Sequence, residues 1–427
     1  MQRALRVLAL AGGVCIASIG LLAGLGGVAI ALTAAPDTRL TFLLITTSIS
    51  LLSIVLGSAL AWQAWQAMSG RSSLPWQPRR TWMGMVLLAG AILLGRWAVG
   101  HSPLDLILLP GAHVLATALP PAIILALVAK SLGGGALRRH LLAQVSSGAF
   151  LSVFLATFAE ALLIAGLAFA AILIVSVVPG GSERLQSLAI LLETSAQLQD
   201  PGALAELARS PWLWAIALFA ASLAVPIIEE SLKTVGVGLM LYRKPARDEA
   251  YLWGLAGGAG FAMMESALNS LLGLSSWAVT VVMRIPTALL HCFTGALVGL
   301  AWHAAFVERQ WKRALGLFAI SVALHGVWNA LAITSGLLSL AESSTSTLPA
   351  PGAALGAGLS AALLPAMAAG IAVALGVITR RLRPIRPGVP ASPAAATPEP
   401  ALPPARGTEP EPTLPAEEEG PPWGEQP

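Results

Sequence analysis

Ten stretches of the chain stay apolar for about the 20 residues that a helix needs to cross the hydrocarbon core of a bilayer. They are residues 7–35, 40–62, 81–100, 108–130, 142–178, 211–241, 250–274, 279–306, 313–340 and 353–379. Polar and apolar positions do not alternate within them, so barrel strands are excluded, and helices are the other structure that satisfies its own backbone in lipid. The pattern predicts an all-α polytopic transmembrane bundle of about ten spans. The first stretch is too long for the apolar region of a signal peptide and is read as a retained span.

Between the spans the pattern changes twice. Residues 181–210 mix charges with apolar positions at helical spacing (Leu185, Leu188, Leu191, Leu192), which predicts a short amphipathic helix at the outer surface. Beyond residue 384 the chain is rich in Pro, Ala and Glu and too poor in apolar residues to build a core, which predicts a disordered tail. The expected organisation is five N-terminal spans over 1–180, the outer loop, a polar group of spans over 211–340, a last span within 341–383, and the tail over 384–427.

Composition agrees. The chain is 56% hydrophobic and 11% charged, with a mean hydropathy of +0.77, whereas soluble domains carry about 25% charged residues. Cys15 and Cys292 both lie inside apolar runs, which excludes a disulfide scaffold. With the N-terminus cytoplasmic, nineteen of the 25 Lys and Arg fall on the cytoplasmic side. Three, Arg39, Arg184 and Arg209, fall outside, and Arg96, Lys233 and Arg284 lie within spans. This asymmetry places both termini in the cytoplasm of a cell-membrane protein. It assigns the basic excess to anionic lipid and not to nucleic acid.

Ionisable groups inside a bilayer cost about 2.5–3.5 kcal/mol each on insertion scales, so their placement is informative. The sixth to ninth spans hold Glu229, Glu230, Lys233, Glu265, Arg284, His291, His303 and His325, together with Asn269 and Asn329. A rise of 1.5 Å per residue puts Glu229, Glu265, His291, His325 and Asn329 about 18–24 Å from the basic ends of four antiparallel helices, in one layer. Glu229 and Lys233 are spaced i,i+4, as are His325 and Asn329, and each pair shares a helix face. Pro226 loosens the helix one turn before the acids. Two Gly-xxx-Gly pairs, Gly254–Gly258 and Gly295–Gly299, let the seventh and eighth helices approach closely. A carboxylate in such a layer can act as general base on water, and His and Asn on one face can donate to a developing oxyanion.

The same residues form four motifs in order: Glu229-Glu230-Ser231-Leu232-Lys233 (EExxK), Phe261 to Glu265 (FxxxE), Arg284 with His291 seven residues later, and His325 to Asn329 (HxxxN). In this order on consecutive spans they resemble the PrsW-type intramembrane proteases, relatives of the CAAX-processing and bacteriocin-processing membrane proteases. The resemblance covers about residues 211–340 and implies glutamic-type hydrolysis of membrane-embedded proteins, in some members regulated cleavage of anti-sigma factors. It implies a catalytic set of Glu229, Glu230, Glu265, His291, His325 and Asn329, supported by Lys233, Phe261 and Arg284. Glu229 is the implied base, a role that Glu230 can exchange with it. Glu265 stands where the CAAX branch has a His, and His325 and Asn329 form the implied oxyanion hole. No cofactor is required. If zinc were bound, Glu229, Glu265, His291 and His325 would supply its ligands, without the HExxH motif.

Two other classes fit intramembrane charge. A proton-coupled transporter also uses buried Glu, Lys and His, but its inverted repeats are not evident beside one polar and one nearly charge-free half. A non-catalytic scaffold has no need to retain the acids, both histidines and Asn329 together. The predicted topology has a direct check. In a Cys15→Ser, Cys292→Ser background, Ser102→Cys should react with an impermeant maleimide on intact cells, whereas Ser72→Cys should react only after permeabilisation.

Overall fold

The computed structural model describes residues 2–133, 136–177, 183, 186, 211–270, 274, 276–342 and 351–383. Apart from residues 183 and 186, the predicted outer amphipathic segment lies outside the described residues, as does the C-terminal tail. Every predicted span corresponds to helix. In chain order these are α1 (Gln2–Thr33), α2 (Pro36–Met68), α3 (Thr81–Ala98) and α4 (Leu104–Ser131). The fifth run is α5 (Arg138–Ser146), a π-helical turn π1 (Ser147–Ser152) and α6 (Val153–Val177). The sixth is α7 (Pro211–Phe219), a second π-helical turn π2 (Ala220–Ala224), α8 (Val225–Leu232) and α9 (Val235–Met240). The last four are α10 (Arg247–Asn269), α11 (Trp277–Phe306), α12 (Trp311–Glu342) and α13 (Pro351–Leu382).

Nine of these runs, among the described residues, are long and apolar enough to cross a membrane. The seventh predicted span, α10, is not one of them, and its surroundings give the reason. It is buried almost without interruption from Ala250 to Met264. It packs against α11, α4, α5 and π1. A helix enclosed by protein has no need of a lipid-compatible surface, so its sequence is free to carry glycine and acid.

Glycines let α10 serve as the hub. A Cβ on Gly254 would overlap the Gly295 carbonyl and the Gly299 backbone, and one on Gly258 would overlap the His291 carbonyl. On other faces, Gly257 lies against the Lys233 carbonyl and Gly260 against the Val145 carbonyl. The predicted small-residue pairs therefore interlock with each other, and two further glycines extend the same contact to α5 and the α8–α9 junction. Such approach maximises dispersion contact where no hydrophobic force drives helix association.

Polar links fix the ends of this core. Trp277 Nε1 donates to His113 Nδ1 at 3.0 Å, which makes the other ring nitrogen the donor to the Ala267 carbonyl at 2.8 Å. This ties α11, α4 and α10 together. Tyr251 bonds Thr379 Oγ1 across to α13 at 3.1 Å. At the other edge, α1 and α2 form a hairpin whose ends meet where Arg6 Nη1 donates to the Ala67 carbonyl at 2.9 Å.

The hub makes a clean prediction. Gly258→Leu should destabilise the protein by about 1–3 kcal/mol or more through overpacking. Gly316→Ala on α12, where an added Cβ meets nothing within 4 Å, should not. Thermal unfolding in detergent, followed by intrinsic fluorescence, compares the two.

Candidate active site

Two breaks in the sixth run set up the site. Pro226, at the start of α8, has no N–H to offer the preceding turn. The chain answers with π2, whose carbonyls are received by α12. Asn329 Nδ2 donates to the Ala221 carbonyl at 2.8 Å, and Gly326, lacking a side chain, admits the Ser222 carbonyl. After α8 the helix stops at Lys233 and restarts from Thr234, whose backbone leaves the helical region at φ −114°, ψ 22°. Trp302 Nε1 holds the Thr234 hydroxyl at 3.0 Å, and Gly257 leaves room for the Lys233 carbonyl.

Lys233 sits at this break, fully buried. Its ammonium donates to Glu230 Oε1 at 2.5 Å, His291 Nδ1 at 2.9 Å and Thr294 Oγ1 at 3.4 Å. Three partners satisfy its three hydrogens. It also lies 5.3 Å from the centre of the Phe261 ring, a cation–π distance. The spacing of the motif pairs Lys233 with Glu229, yet its partner is Glu230, one residue closer. Both i,i+3 and i,i+4 neighbours lie within reach on a helix. Glu230 is the acid turned toward His325 and the bundle interior.

The two adjacent acids grip one imidazole from opposite sides. Glu230 Oε1 lies 2.8 Å from His325 Nδ1, and Glu229 Oε2 lies 3.7 Å from His325 Nε2. Because an ionised carboxylate only accepts, the His325 proton sits on Nδ1 and a lone pair faces Glu229. His291 is ordered in the same way from the other end. Its Nδ1 accepts from Lys233, and its Nε2 lies 2.7 Å from Glu265 Oε2. Glu265 Oε1 is held in turn by Arg284 Nη2 at 2.8 Å and Asn269 Nδ2 at 3.0 Å. The two imidazoles meet edge to face with centroids 5.0 Å apart, and Phe261 packs 5.4 Å from His291.

A continuous polar chain thus runs His325–Glu230–Lys233–His291–Glu265–Arg284. Glu230 and Glu265 each face a cation. Glu229 has the two imidazoles and no cation of Lys or Arg at ion-pair distance, and its buried Oε2 makes no hydrogen bond. All nine residues of the implied catalytic and supporting set belong to this cluster or its border, whereas His303 lies apart against Glu308. Asn329 stands at the border, bonded to backbone. One acid fits none of the four motifs, namely Glu160 on α6. Its Oε1 is buried without a hydrogen-bond partner, and it interacts electrostatically with Glu229 and Glu265. Its only signal in the sequence is a carboxylate in an otherwise apolar span.

The donor set is suited to a divalent metal ion. Glu229, His291 and His325 offer ligand atoms that all lie within 4.8 Å of one another. The orphaned Glu229 oxygen points among them, and His325 already has the carboxylate partner that orders a metal-ligating histidine. One carboxylate and two imidazoles with a position left open is a composition found in catalytic zinc sites. Glu265, expected as a fourth ligand, instead neutralises Arg284 on the far side of His291. The contested atom is His291 Nδ1, whose lone pair Lys233 now occupies.

Comparison with known proteins gives one finding. The model of a family described as PrsW family intramembrane metalloprotease matches residues 136–350. No curated protein and no solved structure matches the chain.

The pairing predicts unequal costs for the two adjacent acids. Glu230→Gln leaves the Lys233 ammonium buried without its counter-charge and should cost about 3–5 kcal/mol. Glu229→Gln removes no ion pair with a cation and should cost less than about 1 kcal/mol. Denaturation of the two variants in detergent checks the difference.

Proposed function

The chain belongs to the PrsW family of intramembrane proteases, and from that premise we propose that it hydrolyses peptide bonds in membrane-embedded proteins with Glu229 as the residue that activates water. The observation that carries this reading is the Glu229 carboxylate. Of the three motif acids it is the one with no cation against it, and it faces a lone pair on His325 and the edge of His291. A water seated between Glu229 Oε2 and His325 Nε2 donates a hydrogen to each and turns its own lone pair outward, toward a scissile carbonyl.

In this mechanism Glu229 takes a proton as the water oxygen bonds to the carbonyl carbon, and returns it to the amide nitrogen as the C–N bond breaks. His325 holds the water, because Glu230 keeps its proton on Nδ1. This departs from the oxyanion role the motif implies for it. Asn329 spends one amide hydrogen on the Ala221 carbonyl and has a second to offer the oxyanion. Lys233 acts at one remove. It keeps Glu230 ionised and fixes the His291 tautomer, so that the acids do not compete for one proton. A substrate helix must unwind locally to expose its carbonyl. The residue ranges of the sequence reading serve as the working division of the chain, with α7 to α12 as the catalytic bundle. A single-span protein of the anti-sigma type, cut in the cell membrane with both termini of the protease in the cytoplasm, is the substrate class this reading extends to.

The three convergent donors favour a second reading. In it Glu229, His291 and His325 hold a zinc-type ion, which when bound polarises a carbonyl and acidifies water. Lys233 then has to release His291 Nδ1, and Glu229 is a ligand and no longer the base.

The test uses purified protein in liposomes and a panel of fluorogenic single-span substrates, with and without EDTA. Glu229→Gln should lower kcat at least about 100-fold, the smaller end of general-base effects, while His325→Ala should abolish cleavage. Activity that survives the chelator supports Glu229 as base. Loss on chelation with recovery on zinc supports the metal reading. Proton-coupled uptake that depends on Glu229, with no cleavage of any substrate, would overturn both.

A further inference from the structure

Apart from the catalytic cluster, the molecule holds a cavity of about 490 Å³ between α1, α2, α5 and α9, within the ~300–1,000 Å³ range of small-molecule sites. Its body is apolar, walled by such residues as Leu8, Ile16, Leu60, Leu151 and Leu239. One end is basic. Arg6, Arg139 and Arg243, from three separate segments of the chain, all line it. These three belong to the basic set that the charge pattern assigns to one membrane face. Arg6 gives one guanidinium hydrogen to the Ala67 carbonyl and retains others.

Four buried polar atoms of the wall have no hydrogen-bond partner. His140 is 5% exposed, and neither of its ring nitrogens has a hydrogen-bond partner. Gln144 is 1% exposed and leaves its carbonyl oxygen unpaired, as Ser147 does its hydroxyl. Buried polar groups are nearly always bonded, so each orphan calls for an explanation. Three arginines at one mouth, an unpaired imidazole and hydroxyl in the wall and an apolar chamber beyond match an amphiphile with an anionic head.

We propose that this cavity binds one anionic phospholipid. Its phosphate lies among Arg6, Arg139 and Arg243, and an acyl chain runs along α1 and α9. Basic pockets between transmembrane helices take lipid headgroups in this way. A free phosphate satisfies the arginines but leaves the apolar chamber empty, and a neutral lipid fills the chamber but leaves three cations uncompensated. Gly236, Leu239 and Met240 of α9 line the cavity, and α9 begins two residues after Lys233.

The test is native mass spectrometry of the purified full chain in a neutral detergent. Phosphatidylglycerol, phosphatidylcholine with the same acyl chains, and inorganic phosphate are titrated separately. The expected result is a one-to-one phosphatidylglycerol adduct held at least about tenfold more tightly than phosphatidylcholine, as a few lipid–arginine contacts allow. Joint substitution Arg6→Gln, Arg139→Gln and Arg243→Gln should bring retention down to the phosphatidylcholine level. Gly12→Leu supplies an independent arm. Gly12 lines the chamber and an added Cβ meets nothing within 4 Å. Leu also raises helix propensity, so this variant fills the acyl seat with all three arginines intact. It should remove the adduct. Equal binding of both lipids, one-for-one displacement of phosphatidylglycerol by phosphate, or an unchanged adduct in Gly12→Leu would each overturn the proposal.

Discussion

The structure is organised around one buried ammonium. Lys233 has no access to solvent, so its charge is tolerable only because every hydrogen on it is bonded and a carboxylate lies against it. That requirement orders the neighbourhood. Glu230 is committed to Lys233 and to His325, which fixes the tautomer of one histidine. His291 accepts from Lys233, which fixes the other and directs its remaining nitrogen at Glu265. Glu229, one residue away on the same turn, is left as the carboxylate that no cation claims. Lys233 at Glu230 and Arg284 at Glu265 thereby leave Glu229 as the one motif acid without a cation at ion-pair distance.

Lys233 can occupy this position because the sixth transmembrane run is not a continuous helix. The π turn before the acids and the break after them tilt and end α8 so that its polar face meets α11 and α12. Irregular backbone in a bilayer is allowed only where protein satisfies it. Here the side chains that do so are specific. Asn329 binds the Ala221 carbonyl, Gly326 makes room for Ser222, and Gly257 makes room for Lys233. The His-xxx-Asn motif therefore supplies an imidazole of the polar cluster and, one turn on, a clamp for the π turn of the helix opposite.

Enclosure of α10 follows from the same economy. The helix that carries Phe261 and Glu265 is the least lipid-like of the spans and the most completely buried. Its glycines bring α11, α5 and the α8–α9 junction to backbone contact, which holds His291 and Lys233 within bonding distance of each other. The apolar first half of the chain is not a mere anchor. The α4 and α5 helices cover α10, and α1 and α2 wall a chamber with basic residues at one end.

The sequence by itself determined the membrane-embedded all-α class and the ten helical runs, because length and apolarity suffice to make a helix in lipid. It also determined which four runs carry the buried ionisable cluster, because charge is costly enough in a bilayer to mark its own location. The residues of the cluster were legible as a group for that reason, and the family match, over residues 136–350, contains that segment and extends to the fifth run. Pairing was not legible. Helix geometry allows Lys233 either Glu229 or Glu230, and the neighbours that Lys233 meets on α11 and that Glu230 meets on α12 accompany its pairing with Glu230. Nor was the enclosure of α10, the approach of Glu160, or the meeting of Arg6, Arg139 and Arg243 at one cavity. Each depends on contacts between residues far apart in the chain, and a local pattern fixes the face a side chain occupies without fixing what packs against it.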